Sequence, residues 1–338
     1  MRVENIVLNE QRNVTLTAYI QEVAGEFRYV TKRPAVLVLP GGGYQYCSDR
    51  EADPVVMPYL KAGYQAFILR YSVKADSVWP NPLEDYEQAM ELIRSREEEW
   101  KLYPEKIAVI GFSAGGHLAA AAATMAKQRP NAAILGYAVT GEDVKGCNPS
   151  APDTIGAVDK DTCPCFVFAT RTDNVVPISN SIQFIQALAD HDISFESHIY
   201  SYGPHGFSTA DRSIQKADTV MCERVPNWVT DSIGWLRDVL GDFGEECMTE
   251  PVCKAHMTDD AEAFLSIDCT VGHLAGNPAA KKIMEPLFEK MQEMSQEMGQ
   301  DMFTFARKMK LRDAMDCGNM PPELAEEWNR KLSKIPNI

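Results

Sequence analysis

The sequence predicts an α/β fold in which a mostly parallel, doubly wound sheet is followed by a small α-helical C-terminal module. Over the first two-thirds of the chain, short apolar runs typical of buried strands alternate with helical patterns, which favours helices on both faces of the sheet. One apolar run, 106–112, passes directly into an alanine-rich helical segment, 114–126. Convincing strands end near 245, where Met, Glu and Lys become frequent. We therefore predict a large domain over 1–245 and a helical module over 255–338.

The individual elements follow from the spacing of apolar residues. Continuous apolar runs and alternating β-branched residues predict strands, at 14–23, 34–40, 65–73, 106–112, 132–139, 165–170 and 194–201. Apolar residues that recur every three to four positions predict helices, at 52–64, 81–100, 114–126, 179–191 and 224–240. The tail segment 277–310 is helical by the same pattern.

Composition and charge limit the classes of function. The 338 residues carry a formal net charge of −15, so we expect no nucleic-acid partner and no binding to anionic membranes. The N-terminus lacks an apolar signal-peptide segment, and no apolar run reaches the ~18 residues of a membrane span. The nine cysteines are scattered, and the pair at 163–165 is CPC rather than CxxC. We expect reduced thiols and a cytoplasmic location.

The predicted strand at 106–112 ends in a serine flanked by glycines. Gly111, Ser113 and Gly115 form a G-x-S-x-G pattern between this strand and the helix that follows. In that context the pattern is typical of a nucleophile elbow, a strained turn that exposes the serine hydroxyl while glycines avoid clashes. The alternative is a tight turn that only allows close helix–strand packing. The strand–turn–helix context favours the nucleophile.

A second glycine-rich turn follows the predicted strand 34–40. The stretch LPGGGYQYC, 39–47, lets backbone N–H groups approach a ligand closely, as an oxyanion hole requires. We predict that the N–H groups of Gly42 and Gly43, with that of Ala114, form this hole. Alone, the stretch would indicate a plain glycine turn, but beside an elbow it favours oxyanion binding.

Two later loops supply an acid and a base. Asp173 lies three residues beyond the predicted strand 165–170, where the alternative role is that of a turn or helix-capping residue. His205 is framed by glycines after the last predicted strand, which indicates proton transfer. The order Ser113, Asp173, His205 is that of the α/β-hydrolase fold. Rival acids precede the strand and are less well placed: Glu142, Asp143, Asp153, Asp159 and Asp161.

Together these motifs resemble the α/β-hydrolase esterases that are grouped with acetylxylan esterases and related sugar-ester hydrolases. The most specific parts of the resemblance are the elbow and the PGGGY loop. The resemblance implies Ser113 as nucleophile, Asp173 as acid and His205 as base. Lipases and esterases often carry a histidine before the three glycines, where this chain has Pro40. The tail resembles, more weakly, a short helical module appended to some bacterial carbohydrate-active enzymes.

The expected activity is removal of short acyl groups, acetyl first, from small acylated carbohydrates, with no metal or organic cofactor. The stretch 73–81 and the segment between 139 and 165 are too short for the large apolar lid of a lipase. Three loop aromatics are candidates for stacking on a sugar ring, although packing is an equal alternative: Tyr44, Tyr46 and Trp79.

Two other functions stay open. A serine peptidase of the same fold is one, although no large gating domain is visible in the sequence. A non-catalytic binding or assembly protein is the other, because methionines recur in the tail at helical spacing: Met284, Met291, Met294, Met298, Met302 and Met309. We expect this stripe to pack against the hydrolase domain or a second subunit, which makes a homo-oligomer through the C-terminal module possible.

Overall fold

The computed structural model describes the residues 1–27, 29–245 and 247–337. Three residues of the predicted domain organisation lie outside the described residues, namely Arg28 in the large domain, Glu246 in the boundary segment and Ile338 at the end of the module. The chain divides into two compact units, Met1–Ala255 and His256–Ile338. In the described ranges, no helix is both long and apolar enough to cross a membrane.

One eight-stranded sheet organises the first unit. Its strands are Arg2–Asn9 (β1), Val14–Ile20 (β2), Arg33–Leu39 (β3), Gln65–Arg70 (β4), Leu102–Phe112 (β5), Ala132–Gly136 (β6), Cys165–Thr170 (β7) and Phe195–Tyr200 (β8). Their order in the sheet is β1-β2-β4-β3-β5-β6-β7-β8. The pairs β1–β2 and β2–β4 are antiparallel, and every other neighbouring pair is parallel. This mostly parallel sheet confirms the predicted α/β-hydrolase class.

Helices connect the strands of the sheet and make up the second unit. Those of the first unit are Asp53–Lys61 (α1), Asn81–Ser95 (α2), Glu97–Trp100 (α3), Ala114–Met125 (α4), Ser179–Asp190 (α5) and Asn227–Leu240 (α6). Those of the second unit are Val271–Gly276 (α7), Pro278–Ile283 (α8), Glu285–Met298 (α9), Met302–Ala306 (α10), Leu311–Cys317 (α11) and Pro322–Leu332 (α12). Short 3₁₀ turns lie at Asp49–Glu51, Lys74–Ser77 and Glu142–Gly146.

The sheet separates two apolar clusters, one on each face. In β3 every residue is buried, and successive side chains alternate between the clusters, with Leu37 in one and Val38 in the other. A strand covered on both faces reads as a continuous apolar run, which is why the sequence predicted it. Each such buried side chain contributes about 1.5–3 kcal/mol of transfer free energy.

The alanine-rich sequence of α4 reflects how close this helix lies to the sheet. Its residues are buried on all sides from Ala114 to Thr124. A Cβ placed on Gly116 would lie 2.5 Å from the Cβ of Ala138, so no larger residue fits there. Small side chains therefore let the helix begin directly behind the last residue of β5.

Several element boundaries differ from the predicted ones for local reasons. The predicted helix 81–100 is divided, because α2 ends at Ser95 and the four-residue α3 follows it. The predicted strand 132–139 ends at Gly136, since Tyr137 adopts a positive φ of 36°. The strand β1 was not predicted, because it is an edge strand without a fully buried residue.

The second unit has an apolar core of its own. Its buried residues include Met284, Met291 and Trp328, and Met302 and Met309 pack against them. Met298, in contrast, is 57 % exposed. Part of the methionine stripe therefore packs within the module itself. Packing of the stripe against the hydrolase domain or a second subunit stays a prediction.

Candidate active site

The turn between β5 and α4 holds Ser113 in a strained conformation. Its backbone angles are φ 53° and ψ −118°, a region that residues other than glycine rarely adopt. The Ser113 amide donates to the carbonyl of Gly136 on the neighbouring strand, at 3.0 Å. Two backbones also meet here, because a Cβ on Gly111 would lie 2.2 Å from the carbonyl oxygen of Gly115. The glycines of the motif are thus required by backbone contacts.

Three side chains from three loops form one hydrogen-bonded chain. The Nε2 atom of His205 lies 2.9 Å from the hydroxyl oxygen of Ser113. On the other side of the ring, Nδ1 lies 2.8 Å from Oδ2 of Asp173. The side chains of Asp173 and His205 are 1 % and 15 % exposed, so this chain is largely screened from water. The arrangement has the geometry of a base held between a nucleophile and an orienting acid.

Asp173 is fixed by backbone amides as well as by the imidazole. Its Oδ1 accepts hydrogen bonds from the amides of Val175 and Val176, at 2.8 and 2.9 Å. Asp173 therefore also acts as a turn residue, the alternative role that the sequence left open. It does so through Oδ1, the oxygen that does not contact His205. One carboxylate oxygen closes the turn while the other holds the imidazole.

The rival acids make other contacts. Asp143 accepts from the Asn180 amide, and Asp153 accepts from a backbone amide two residues on. Asp159 pairs with Arg129 at 2.6 Å, and the guanidinium lowers the pKa of Asp159 to about 2. None of these bonds involves Ser113 or His205.

The glycine-rich loop after β3 lies against the elbow. A Cβ on Gly41 would lie 3.1 Å from the Cβ of Ser113, so the two turns touch. Gly42 and Gly43 have φ angles of 133° and 61°, which glycine tolerates best. Among the described residues, the N–H groups of Gly42, Gly43 and Ala114 donate to no protein acceptor. Unpaired amides beside a serine hydroxyl are suited to stabilising an oxyanion.

The structure corrects the sugar-stacking role expected of Tyr44. This residue is fully buried, and its hydroxyl lies 2.6 Å from Nδ1 of His117. The other ring nitrogen of His117 lies 2.8 Å from the carbonyl oxygen of Pro152, and burial lowers the pKa of His117 to about 4. A neutral imidazole therefore anchors Tyr44 at the end of the glycine-rich loop, where no sugar can reach its ring.

The other two aromatic candidates differ in exposure. Tyr46 is 60 % exposed and belongs to the turn that Gly42 closes, with a hydrogen bond from the Gln45 amide. Trp79 is half-buried and packs edge-on against His117, with ring centroids 5.5 Å apart. Tyr46 thus has a free ring face, whereas Trp79 offers only part of its ring.

Sequence reasoning missed a buried carboxylate behind the glycine-rich loop. Glu51 is 3 % exposed, and its oxygens accept hydrogen bonds from the Gly41 amide and the Tyr137 hydroxyl. Burial raises the pKa of Glu51 above its ordinary value. The stretch SDREAD around it is polar and resembles a solvated turn, so no local signal distinguishes this glutamate from exposed neighbours.

The chain matches one family model and is similar to two bacterial proteins. Residues 28–145 match the BD-FAE family model. The chain is 31% identical over 211 residues to endo-1,4-beta-xylanase B of Butyrivibrio fibrisolvens, covering 53% of this chain and 33% of that protein. It is 26% identical over 241 residues to the acetylxylan esterase of Xylanibacter ruminicola, covering 59% of this chain and 50% of that protein. The chain thus spans a third and a half of the lengths of these two relatives.

A solved structure matches a larger share of the chain. MGS-M1, an alpha/beta hydrolase enzyme from a Medee basin deep-sea metagenome library, is 43% identical, with a TM-score of 0.67. The match covers 71% of this chain and 98% of that chain. The eight-stranded sheet, the strained turn at Ser113 and these similarities all indicate an α/β-hydrolase. The chain therefore belongs to the α/β-hydrolase family, and it is similar in sequence to a protein named an acetylxylan esterase.

Proposed function

We propose that this protein is a serine carboxylesterase that removes short acyl groups, acetyl first, from carbohydrate esters. The observation that carries the proposal is the continuous chain Ser113–His205–Asp173 beside unpaired backbone amides. An isolated serine hydroxyl is a weak nucleophile, and this arrangement supplies the base, the orienting acid and the oxyanion donors that it needs.

The first step is acylation. His205 Nε2 takes the proton of Ser113 as Oγ attacks the ester carbonyl, and Asp173 holds the imidazole so that Nδ1 carries the other proton. The amides of Gly42, Gly43 and Ala114 stabilise the negative charge on the former carbonyl oxygen. The imidazolium then returns its proton to the departing sugar oxygen, which leaves an acyl-serine.

Deacylation repeats the same chemistry with water. His205 removes a proton from a water molecule, which attacks the acyl carbonyl and produces a second oxyanion in the same hole. Collapse of this intermediate releases the carboxylic acid and restores the hydroxyl of Ser113. Each proton that leaves the serine or the water returns to a leaving oxygen, so the enzyme ends in its starting state.

The loops around Ser113 support a small acyl group. Between β6 and β7, the only helical segment in the described chain is the five-residue 3₁₀ turn Glu142–Gly146. A Cβ on Gly43 would lie 3.9 Å from that of Cys147, which places this segment directly beside the glycine-rich loop. A long acyl chain would need an apolar covering that such short loops do not provide.

A carbohydrate leaving group is supported by an exposed aromatic side chain and by the relatives. Tyr46 lies in the turn that continues the glycine-rich loop, and its ring is free to stack on a sugar. One relative is named an acetylxylan esterase, and another is named a xylanase, so both names refer to xylan. The proposed substrates are therefore acetylated xylo-oligosaccharides.

Hydrolysis of acetylated xylo-oligosaccharides, followed by product mass analysis, tests the proposal. We expect loss of acetyl groups without cleavage of the sugar chain. In parallel, Tyr46→Ala should raise KM for the oligosaccharide but not for p-nitrophenyl acetate, since only the former offers a ring for stacking. Tyr29→Ala, at another exposed tyrosine, is the matched control. Cleavage of amide substrates in preference to esters would support a peptidase and contradict the proposal.

A further inference from the structure

Glu51 connects the two loops that meet at Ser113. It ends the 3₁₀ turn Asp49–Glu51 and is almost fully buried. Its Oε2 accepts from the Gly41 amide at 2.8 Å, and its Oε1 accepts from the Tyr137 hydroxyl at 2.6 Å. The catalytic chain proposed above uses neither oxygen. A buried carboxylate whose oxygens both bind parts of the site has to be explained.

The first bond of Glu51 controls the start of the oxyanion loop. Gly41 precedes the two glycines whose amides face the reacting carbonyl, and a Cβ on it would lie 2.7 Å from the Phe112 carbonyl oxygen. Its amide is taken up by Glu51, so it is no candidate for the oxyanion hole itself. The bond instead holds the loop against the elbow, which sets where the next amides point.

The second bond of Glu51 controls the loop that carries the base. The Tyr137 ring packs edge-on against the imidazole of His205, with centroids 5.0 Å apart. The Tyr137 hydroxyl accepts from the Ser208 amide at 3.0 Å, three residues beyond the histidine. Arg50, next to Glu51, donates to the Gly206 carbonyl at 3.0 Å. The short turn is thus tied to both sides of the histidine.

Both oxygens of Glu51 accept hydrogen bonds, from the Gly41 amide and the Tyr137 hydroxyl, and this pattern favours the ionised carboxylate. The Tyr137 hydroxyl accepts from the Ser208 amide as well. Burial raises the pKa of Glu51, while the Tyr137 and Gly41 hydrogen bonds and the charges of His205 and Arg50 oppose that rise. The hydroxyl of Tyr71 also interacts with this carboxylate, and burial raises the pKa of Tyr71 well above its ordinary value.

We propose that Glu51 is a positioning residue whose carboxylate holds the oxyanion loop and the His205 loop in register. This inference rests on the proposed function. The carboxylate acts through Gly41 on the oxyanion donors and through Tyr137 on the imidazole. Its negative charge also favours the imidazolium that forms when Ser113 attacks. A carboxylate that only stabilised the fold would have neither effect on the reaction.

Glu51→Gln tests the proposal, because it keeps the side-chain volume but removes the charge and one acceptor. We expect kcat for p-nitrophenyl acetate to fall about 10- to 100-fold, with KM changed less than about threefold. We expect the acid limb of the kcat/KM profile to move to lower pH by about half a unit, since the imidazolium loses a neighbouring anion. Asp173, Tyr137 and Arg50, the other groups around the histidine, are unchanged in this variant.

Asp85→Asn is the matched control. Asp85 is fully buried and accepts from the amide of Ser72, in a part of the chain that the proposed mechanism does not use. Removing its charge should lower thermal stability but leave the acid limb and the kcat of the folded fraction unchanged. A wild-type kcat and an unmoved acid limb in Glu51→Gln would overturn the inference. The inference is also overturned if Asp85→Asn shifts the acid limb of the kcat/KM profile as far as Glu51→Gln does. Such a shift would be a general effect of losing a buried charge.

Two further variants complete the test. If Glu51→Gln fails to fold, Tyr137→Phe replaces it, since this change keeps the ring against His205 and removes the hydroxyl that bonds Glu51 and the Ser208 amide. A kcat equal to that of the wild type would contradict the proposal. Ser113→Ala separates the two proposals: if it is inactive while the Glu51 and Tyr137 variants match the wild type, only the inference fails. If the wild type itself hydrolyses no ester, both proposals fall.

Discussion

The Nδ1 atom of His205 lies 2.8 Å from Oδ2 of Asp173, in a carboxylate whose other oxygen is held by two backbone amides. This relationship determines which ring nitrogen carries the proton. With Nδ1 donating to the carboxylate, Nε2 is free to accept from Ser113, 2.9 Å away. The acid therefore selects the tautomer that the proposed mechanism requires.

Asp173→Asn should reverse this selection. The side-chain nitrogen of the introduced asparagine would donate to Nδ1 of His205 and so favour the tautomer that carries its proton on Nε2. A protonated Nε2 cannot accept the proton of Ser113. We expect kcat to fall on the order of 10³- to 10⁴-fold, with little change in KM. Asp153→Asn, at a rival acid of the preceding loop, should leave kcat within about twofold of the wild type. Steady-state kinetics on p-nitrophenyl acetate measures both, and equal activities would remove Asp173 from the mechanism.

Ser113 should show the strain of its backbone in a stability measurement. At φ 53° and ψ −118°, any side chain is disfavoured, whereas glycine is not. We expect Ser113→Gly to be more stable than Ser113→Ala by about 1 kcal/mol in denaturant unfolding, with both variants inactive. Both should also fail to react with a fluorophosphonate probe that labels the wild type. An alanine variant as stable as the glycine variant would mean that the turn relaxes in solution.

Gly115 and Gly234 should respond in opposite ways to the same substitution. A Cβ on Gly115 would lie 2.2 Å from the Leu39 carbonyl oxygen, while one on Gly234 in α6 meets nothing within 4 Å. We expect Gly115→Ala to lose about 3 kcal/mol or more of unfolding free energy, because a backbone must move. Gly234→Ala should gain about 0.5–1 kcal/mol from better helix propensity. Thermal unfolding of both variants measures these changes. A Gly115→Ala variant as stable as the wild type would disprove the close approach of Gly115 to Leu39.

Much of this site was visible in the sequence because its parts depend on local chemistry. Gly111 is demanded by a backbone contact with Gly115, four residues on, and the order of Ser113, Asp173 and His205 follows from the order of parallel strands. The carboxyl ends of such strands meet at one edge, so residues just after them come together. Local pattern and strand order were therefore sufficient to select Ser113 and Asp173, which both lie within hydrogen-bond distance of His205, the third selected residue.

The parts that could not be predicted depend on contacts between distant segments. Glu51 is buried by Tyr137, 86 residues away, although its own neighbours are polar. Tyr44 is withdrawn from solvent by His117, 73 residues away, although it stands in a loop beside the site. Periodicity reports which face of an element is apolar, but it contains no information about which loop residue another loop covers. Burial of a single polar or aromatic loop residue is set by tertiary packing alone.

The anchoring of Tyr44 by His117 should make stability depend on pH. The pKa of buried His117 is lowered from 6.5 to about 4, so the unfolded chain binds this proton first. The stabilisation is therefore complete above about pH 6.5 and is lost as the pH falls towards 4, by about 3 kcal/mol in all. His117→Gln should flatten this part of the dependence, while His191→Gln, at an exposed histidine, should not. If the free energy of unfolding depended on pH equally in the wild type, His117→Gln and His191→Gln, His117 would be solvated and the prediction wrong.

The length of the acyl chain should separate a short-chain esterase from a lipase. Every methylene that enters an apolar pocket contributes about 0.8 kcal/mol, which raises kcat/KM about fourfold. The segment Glu142–Gly146 is short, and its neighbour Cys147 lies beside Gly43, so we expect no long apolar channel there. We therefore expect p-nitrophenyl acetate to be the best of the acetate, butyrate and octanoate esters, with Ser113→Ala as the background. A kcat/KM that rises about fourfold per methylene would instead require an apolar channel, and octanoate as the preferred ester would contradict the proposed acetyl specificity.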